Sequence, residues 1–397
     1  MRLILYTGKG GVGKTTTAAA TAVRAAARGV STLVVSADAA HSLADVLRQP
    51  LAERSDRGSP GPVAEHLHAL EVDARAAMER HWGRVRDYLI AIFRYQGIEE
   101  VVAEELALLP GAEELATLLA VEELAASGDF ELVVVDCAPT GSTLRLVTLP
   151  DVADGTLRWL LRIQQALSTV VTPLARSLVP APLPGSEVFR DADALLYRKL
   201  RRLRERLSSP DTSVRLVLTP ERMVIDEARR AHTDLALFDV ACDAVVMNRL
   251  LPEAACAEAF FRDWGTLQEE RVREVEALFE PLPVLRAPLQ DDEVVGLDRL
   301  ACQGEALFGE VPPESVLSRA PRPRYSRSKG GYRLSLPLPG ASAEGLDVAK
   351  VEDELVVTTA TRRRAIALPR RVASLDLAGA RLADGRLEVR FVAAASG

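Results

Sequence analysis

The chain has 397 residues, of which 48% are hydrophobic and 26% are charged, which is the composition of a globular protein with about two or three domains. Its net charge of −7 argues against a protein that coats nucleic acid, since such binding depends on neutralising phosphates. No apolar run approaches the roughly 20 residues of a membrane-spanning helix, and the short apolar stretch at the start is not a secretory signal. The sequence therefore predicts a cytoplasmic protein with no integral membrane segment and no nucleic-acid partner.

The N-terminal part of the chain follows the order strand, glycine-rich loop, helix and strand. Residues 2–7 form a short apolar run that ends at a glycine, and the alanine-rich stretch after the loop is strongly helical. A second apolar run at residues 30–38 completes a βαβ unit, whose strands must pair in parallel. Similar runs predict further central strands of one mostly parallel sheet at residues 131–136, 214–219, 243–248 and 282–288.

Two long helical tracts lie between these strands, at about residues 72–127 and 150–209. They contain more helix than a minimal crossover between parallel strands needs. We expect them to form a helical subdomain within an α/β domain that covers residues 1–310. The stretch at 48–62 is rich in Arg, Ser, Gly and Pro and predicts an exposed loop.

The character of the sequence changes after residue 310. Residues 311–330 are dominated by Pro, Arg, Ser and Gly without an apolar period, which predicts a linker. Apolar and polar residues then alternate at 332–338 and again at 387–391, and an Asp-Gly pair marks a hairpin turn. Residues 331–397 are therefore predicted to form a small all-β domain.

The glycine-rich loop stands between the first strand and the first helix. Gly8, Gly13, Lys14 and Thr15 fit the pattern G-x-x-x-x-G-K-[ST] of a phosphate-binding loop. The glycines let backbone N–H groups approach phosphate oxygens, Lys14 offers a cation to the β- and γ-phosphates, and the Thr15 hydroxyl can bind Mg²⁺. The expected ligands are a nucleoside triphosphate and Mg²⁺. The nucleotide-binding residues predicted in this loop are Gly8, Lys9, Gly10, Gly11, Val12, Gly13, Lys14, Thr15 and Thr16.

Two carboxylates stand at the ends of predicted strands. Asp136 ends a buried strand, the expected place for a carboxylate that helps to hold Mg²⁺ through a water molecule. Asp38 ends the second strand, where loops meet the nucleotide, and could orient the attacking water. A helix N-cap is the alternative role for Asp38, and the residues alone do not separate the two.

Four stretches of the chain resemble, in combination and in order, the signatures of the ArsA-like ATPases: KGGVGKTT, DAAHSLAD, DCAPTGSTLR and MNRLLP. That family includes the arsenite-pump ATPase and the ATPase that delivers tail-anchored membrane proteins. The resemblance covers about residues 1–310 and implies a P-loop NTPase fold with helical insertions. The C-x-x-C pair that clasps zinc between targeting-factor subunits is absent, so no zinc is expected, and the pump's spaced cysteine set is not evident. Both named activities lose support from these departures.

The resemblance also implies roles for individual residues. Lys9 would reach across a homodimer interface to the partner's nucleotide, as an arginine finger does, and the chain's single loop requires two copies for two sites. The plain alternative for Lys9 is a solvated loop lysine. Lys9, Lys14 and Asp38 are the expected catalytic residues, with Asp38 positioning water and Asp136 starting the second switch region. The residues expected around adenine are Asn248, Pro288 and Leu289.

The C-terminal unit resembles the α-crystallin domain of small heat-shock proteins in the stretches YRLSLPLPG, DELVVTT and LADGRLEVRF. This resemblance covers most of residues 330–395 and implies a short β-sandwich. An ArsA-like ATPase with such a domain is similar to a bacterial and plastid branch of the family, whose clients are poorly defined.

The function expected from these features is an ATP-hydrolysing homodimeric switch that binds hydrophobic protein segments, in a chaperone or targeting role. ATP would close the dimer and align apolar helices into a groove, although such helices usually pack on their own sheet. Residues 88–93 are a second apolar candidate. The predicted client-groove residues are Leu157, Leu160, Leu161, Ile163, Leu167, Val170 and Val171.

Three alternatives stay open at this point. The chain could be a nucleotide-dependent regulatory binding module with little turnover, or an arsenite-pump ATPase subunit. A partitioning or membrane-positioning ATPase is the third, but net acidity and a C-terminal β domain disfavour the basic surface or amphipathic helix that it needs.

Overall fold

The computed structural model describes residues 1–38, 42–51, 59–73, 76–77, 79, 112–138, 140, 198–328 and 330–393. Most of the two predicted helical tracts lies outside these ranges. The predicted client groove at 157–171 and the apolar stretch at 88–93 also lie outside the described residues.

An eight-stranded sheet forms the centre of the larger part of the chain, with the order β3-β4-β2-β5-β1-β6-β7-β8. All neighbouring strands pair in parallel except β3 and β4, which confirms the mostly parallel sheet predicted from the apolar runs. Parallel strands are covered on both faces, and residues 133–135 accordingly have no exposed surface. The strands are β1 Arg2–Thr7, β2 Thr32–Ser36, β3 Gly61–Ala64, β4 Leu67–Glu71, β5 Leu132–Asp136, β6 Thr212–Leu218, β7 Cys242–Leu250 and β8 Val284–Pro288.

The sequence did not predict the two strands β3 and β4. The expected exposed loop at 48–62 overlaps the start of β3, so that prediction was wrong at Gly61 and Pro62. β3 contains four residues and lies at the sheet edge, where a proline is tolerated because its missing N–H costs no ladder hydrogen bond. Segments of four or five residues are too short to show a period of two in the sequence. The pairing of β4 with β2 in parallel is therefore visible only in the structure.

Helices flank the sheet. The first, α1, packs on α8 so closely that a Cβ added at Gly304 would lie 2.7 Å from the Ala20 carbonyl oxygen. In the described part of the chain no helix is both long and apolar enough to cross a membrane. The helices are α1 Lys14–Ala27, α2 Leu43–Leu47, α3 Ala112–Ser127, α4 Arg198–Leu207, α5 Arg222–Leu237, α6 Glu253–Cys256, α7 Arg262–Phe279, α8 Leu297–Phe308 and α9 Arg370–Ala373.

The C-terminal part consists of two antiparallel sheets, with strand orders β14-β15-β10-β9 and β11-β12-β13, which confirms the predicted all-β architecture. Alternating residues of β10 and β15 are buried, in agreement with the period of two in the sequence. The strands are β9 Arg324–Ser328, β10 Gly331–Pro337, β11 Asp347–Val351, β12 Glu354–Thr358, β13 Arg363–Ala367, β14 Asp376–Ala383 and β15 Arg386–Val392.

The stretch predicted as a linker, 311–330, contains one strand and is hydrogen-bonded to the central sheet at two further residues. Its last part forms β9, an edge strand paired antiparallel with β10, and the Arg and Ser residues of that strand hid it from the sequence pattern. Further upstream the backbone is bound to β6 and β7: Arg215 donates to the Ser315 carbonyl at 3.1 Å, and Leu317 N donates to Asp243 at 3.3 Å.

The β domain contacts the C-terminal half of α5. Thr233 Oγ1 donates to the Pro339 carbonyl at 2.6 Å, and Thr361 Oγ1 donates to the buried Asp234 carboxylate at 2.7 Å. Arg364 pairs with Asp239 at 2.8 Å, just beyond the end of the helix. The two parts of the chain are therefore joined by specific polar contacts in addition to the connecting segment.

Candidate active site

The predicted site residues gather at one edge of the central sheet. The glycine loop follows β1, Asp38 follows β2, and Asp136 is the last residue of β5. These strands are neighbours in the order β2-β5-β1, so their carboxyl ends open into one crevice. Ligands of open parallel sheets bind at such a crevice.

The glycines of the loop are required by the geometry. A Cβ at Gly8 would lie 2.1 Å from the Val217 carbonyl oxygen on β6, and one at Gly13 would lie 2.3 Å from Asn248 Nδ2. Gly11 and Gly13 also have φ values of 81° and 90°, which L side chains rarely adopt. The loop thus packs closely against β6 and Asn248 in a conformation that only glycine adopts without strain, and such glycine-rich loops are the ones that cradle phosphates.

The first helix begins inside this loop, at Lys14, with Thr15 and Thr16 in its first turn. Gly13 holds the N-cap position and supplies no side-chain cap, and the first turn contains no acidic residue. The N–H groups and the positive end of the helix dipole are therefore available to an anion.

The two lysines of the loop differ in exposure. Lys14 is buried, with 6% of its surface exposed, and its Nζ lies 3.4 Å from the carbonyl oxygen of Lys9. Lys9 is only partly buried, and Gly10 and Gly11 after it are exposed. Lys14 thus belongs to the interior of its own loop, whereas Lys9 lies at the outer surface of that loop.

Thr15 and Asp136 form a hydrogen-bonded pair below the loop. Thr15 Oγ1 donates to Asp136 Oδ2 at 2.6 Å, and the Ser42 hydroxyl lies 3.2 Å from Thr15 Oγ1. Asp136 has no exposed surface, and its Oδ1 is buried with no hydrogen-bond partner within the described residues. A hydroxyl beside a carboxylate with an unused oxygen is a donor set that fits Mg²⁺. The contribution of Ser42 was missed from the sequence, although it lies within DAAHSLAD.

The electrostatics of Asp136 follow from its burial. Burial raises the pKa of Asp136 to about 7, while the Thr15 hydrogen bond and the Lys14 charge lower it and the Asp38 charge raises it. A buried carboxyl group whose charged form is disfavoured, next to a cation and a hydroxyl, is typical of a functional site. A bound cation would remove the cost by favouring the charged form.

Asp38 follows β2 and is partly buried at the same edge. Its backbone N lies 3.4 Å from the Ser36 hydroxyl. The next described helix, α2, has Ser42 at its N-cap position, so Asp38 is not the cap residue of that helix. The role of Asp38 in orienting water stays a prediction.

Asn248 is buried against the glycine loop. Its Nδ2 donates to the Val12 carbonyl at 2.8 Å, and its Oδ1 accepts from Arg249 N at 2.9 Å. The amide of Asn248 therefore holds the loop in place. Asn248 and Val12 are 236 positions apart, so the sequence did not reveal this contact. The predicted hydrogen bond to adenine stays a prediction, as does the adenine-side position of Pro288 and Leu289 at the end of β8.

Family models match both parts of the chain. Residues 1–309 match the model described as an anion-transporting ATPase of the ArsA type. Residues 329–391 match the model of the HSP20-like domain found in ArsA proteins.

Relatives of similar length are also found. The chain is 35% identical over 381 residues to a putative arsenical pump-driving ATPase 1 of Aquifex aeolicus, across 95% of this chain and 96% of that protein. It is 34% identical over 399 residues to a putative arsenical pump-driving ATPase of Chlorobaculum tepidum, across 98% and 96%. It is 30% identical over 330 residues to the ATPase GET3B of Arabidopsis thaliana, across 76% and 77%.

Proposed function

Because the chain belongs to the ArsA ATPase family and is an ATPase, we propose that it acts as a Mg²⁺-dependent switch built from two identical subunits. Its resemblance to that family and to an HSP20-like domain is confirmed. The observation that carries the proposal is the Thr15–Asp136 pair, 2.6 Å apart, beside the buried Lys14 and beneath the glycine loop.

Each part of the site has a task in ATP hydrolysis. The loop N–H groups and Lys14 bind the β- and γ-phosphates, and Thr15 and Asp136 would hold Mg²⁺. Bound Mg²⁺ supplies positive charge that balances the triphosphate. Asp38, at the end of β2, orients the attacking water and accepts its proton. Asn248 keeps the loop closed on the phosphates through its bond to Val12.

The two lysines of the loop support the proposed homodimer. Lys14 serves its own loop from the interior, so a second cation from the same loop adds little there. Lys9, at the outer surface, can instead neutralise charge on the phosphoryl group bound by a partner subunit, as an arginine finger does. ATP would then bridge two subunits, and hydrolysis would release them.

We further propose that the cargo of this switch is a hydrophobic protein segment. The HSP20-like domain and the similarity to GET3B support a chaperone or targeting role more than a purely regulatory one with little turnover. The predicted groove lies outside the described residues, so the proposal rests on the domain combination.

A pump-driving subunit is the second candidate, favoured by the printed names of the Aquifex and Chlorobaculum relatives. Arsenite binds soft thiolate ligands. Of the four cysteines, Cys137 and Cys242 are buried and Cys302 is exposed, with Cys256 between them in exposure. We expect arsenite to leave ATP turnover unchanged. Strong stimulation by arsenite would favour the pump instead.

The hydrolytic role is tested with Asp38→Asn. We expect turnover to fall by about 100-fold or more, because the water loses its orienting base, while ATP binding by calorimetry stays within about threefold. Asp45→Asn, an exposed carboxylate in α2, is the matched control and should keep turnover. Undiminished turnover in Asp38→Asn would remove Asp38 from the mechanism.

A further inference from the structure

Another buried carboxylate lies at the carboxyl edge of the sheet and has no place in the mechanism above. Glu71 is the last residue of β4 and has 5% of its surface exposed. Strand β4 pairs in parallel with β2, with Glu71 opposite Ser36, two residues before Asp38. The strand pairing therefore holds Glu71 beside the segment that begins with Asp38.

Glu71 binds the start of α2, the five-residue helix that follows this segment. Its Oε1 accepts a hydrogen bond from Ala44 N at 2.9 Å, and Ala44 is the second residue of the helix. An N–H group at this position has no partner within its helix and is usually bound by the side chain of the N-cap residue. Here the N-cap residue is Ser42, and its side chain makes no capping hydrogen bond. Glu71 thus caps the helix from a neighbouring strand.

The hydroxyl of Ser42 lies instead beside the Thr15–Asp136 pair. Ser42 Oγ is 3.2 Å from Thr15 Oγ1. The Thr15 hydroxyl has a single hydrogen, which it donates to Asp136 at 2.6 Å, so Ser42 is the donor in its contact with Thr15. The three side chains form a chain of hydrogen bonds, and Ser42 Oγ keeps lone pairs that can bind a cation or a water molecule on that cation.

The body of α2 is fixed by other contacts. Leu43 and Leu47 have at most 1% of their surface exposed. The Val46 carbonyl accepts a hydrogen bond from Gly296 N, just before α8, at 2.8 Å. The bond from Glu71 therefore adds control over the first turn of the helix, next to Ser42.

We propose that Glu71 is a positioning residue for ATP hydrolysis, which caps α2 so that the Ser42 hydroxyl serves the metal site and not its own helix. The inference deepens the proposed function, since it rests on Mg²⁺ bound at Thr15 and Asp136. Without the Glu71 carboxylate, the unsatisfied N–H of Ala44 would draw the Ser42 hydroxyl back to the usual capping position. Glu71 acts through Ser42 and does not bind the metal itself.

The test measures metal binding in the full chain. Mn²⁺ is titrated into an equimolar mixture of protein and a non-hydrolysable ATP analogue, and free Mn²⁺ is followed by electron paramagnetic resonance. Glu71→Ala should raise the Mn²⁺ dissociation constant by about fivefold, the effect of one lost hydrogen-bonded contact. Glu71→Gln keeps an acceptor oxygen and should stay within about twofold of wild type. Glu65→Ala, at an exposed glutamate just before β4, is the matched control and should leave the constant unchanged.

A double-mutant cycle separates positioning from general stabilisation. Ser42→Ala should also raise the constant by about fivefold, and Glu71→Ala/Ser42→Ala should raise it no further, because the two residues act as a unit. An additive effect of about 25-fold in the double variant would overturn the inference. Hydrogen exchange at residues 43–47 of the nucleotide-free chain should be faster in Glu71→Ala, and unchanged exchange would contradict the capping role.

The outcomes also separate this inference from the proposed function. A wild-type chain that takes up no more Mn²⁺ than the analogue alone would overturn the metal site itself. A wild type that binds Mn²⁺, together with Glu71→Ala that binds it equally well, would overturn only the role of Glu71. Should Glu71→Ala fail to fold, Glu71→Asp answers the same question, because its shorter side chain keeps the charge but falls short of Ala44.

Discussion

Two buried carboxylates at opposite ends of the central sheet show how the same residue type serves structure in one place and chemistry in another. Asp243, at the amino end of β7, accepts from Arg2 at 2.7 Å and from Arg215 at 3.2 Å, and also binds the backbone of Leu317. Asp136, at the carboxyl end of β5, accepts one hydrogen bond from Thr15. Asp243 uses both of its oxygens, whereas Asp136 keeps Oδ1 without a partner among the described residues.

The two sites differ in how much positive charge the protein itself places beside the carboxylate. At the amino edge the protein supplies the counter-charges itself, and Arg215 is buried completely between Asp243 and the rings of Tyr6 and Phe308. At the carboxyl edge the counter-charge is incomplete, which is the condition of a site built for a cation and a charged substrate. The comparison predicts that removing the two carboxylates has opposite effects on stability.

Asp243→Asn should have the largest effect. The change leaves two buried arginines facing each other without a full counter-charge, and it weakens the anchor of the segment at 315–317. We expect the free energy of unfolding to fall by about 3–5 kcal/mol in urea titrations. Asp129→Asn, an exposed loop carboxylate, is the control. A loss below about 1 kcal/mol would contradict the stabilising role that we assign to this network.

Asp136→Asn should break function and spare the fold. We expect ATP turnover to fall by about 100-fold, because the carboxylate that would help to hold Mg²⁺ is lost. Stability without nucleotide should stay equal or rise, since a buried charge is removed.

The pKa of Asp136 is about 7 in the folded state, against 3.8 for an ordinary Asp, so the folded state binds the proton more tightly. Wild type should therefore lose stability relative to the variant as pH rises from about 4 to 7. If wild type instead gained stability relative to the variant over this pH range, the pKa of Asp136 would not be raised in the folded state.

His232 should give a smaller effect of opposite slope. It stacks on Phe279 with centroids 5.5 Å apart, and burial lowers its pKa from 6.5 to about 4. Its neutral form is favoured in the fold, so this contribution is complete above pH 6.5 and is lost as pH falls towards 4. Between pH 7.5 and 5, wild type should lose about 2 kcal/mol relative to His232→Gln in parallel urea titrations. An unchanged difference between the two proteins would show that His232 is not held neutral.

Parts of this structure could be predicted from the sequence because their signals are local. The loop from Gly8 to Thr15 has fixed spacing between an apolar run and an alanine-rich helix, and the buried strands are continuous apolar runs. The alternating residues of β10 and β15 are equally local. The same reasoning predicted the parallel sheet and the all-β architecture of the C-terminal part.

Other features depend on contacts between distant parts of the chain. Strand β9 is polar and pairs only because β10 offers a free edge, so the sequence predicted a linker there. Asn248 was assigned to adenine, but its bond to Val12 requires β7 and the loop to be brought together by the sheet order. The exposed rings of Phe260 and Trp264 are likewise visible only once the fold is known, because no local sequence pattern marks them as exposed.

The central claim is that each subunit lends Lys9 to the partner's nucleotide, and mixing two inactive variants tests it most directly. Lys9→Ala lacks the donated lysine, and Lys14→Ala lacks the lysine of its own loop, so each alone should hydrolyse ATP very slowly. In a mixed dimer the Lys9→Ala subunit keeps Lys14 and receives Lys9 from its partner. Random pairing should then restore about a quarter of wild-type turnover per subunit. A mixture that stays inactive, or Lys9→Ala alone at full speed, would contradict the account.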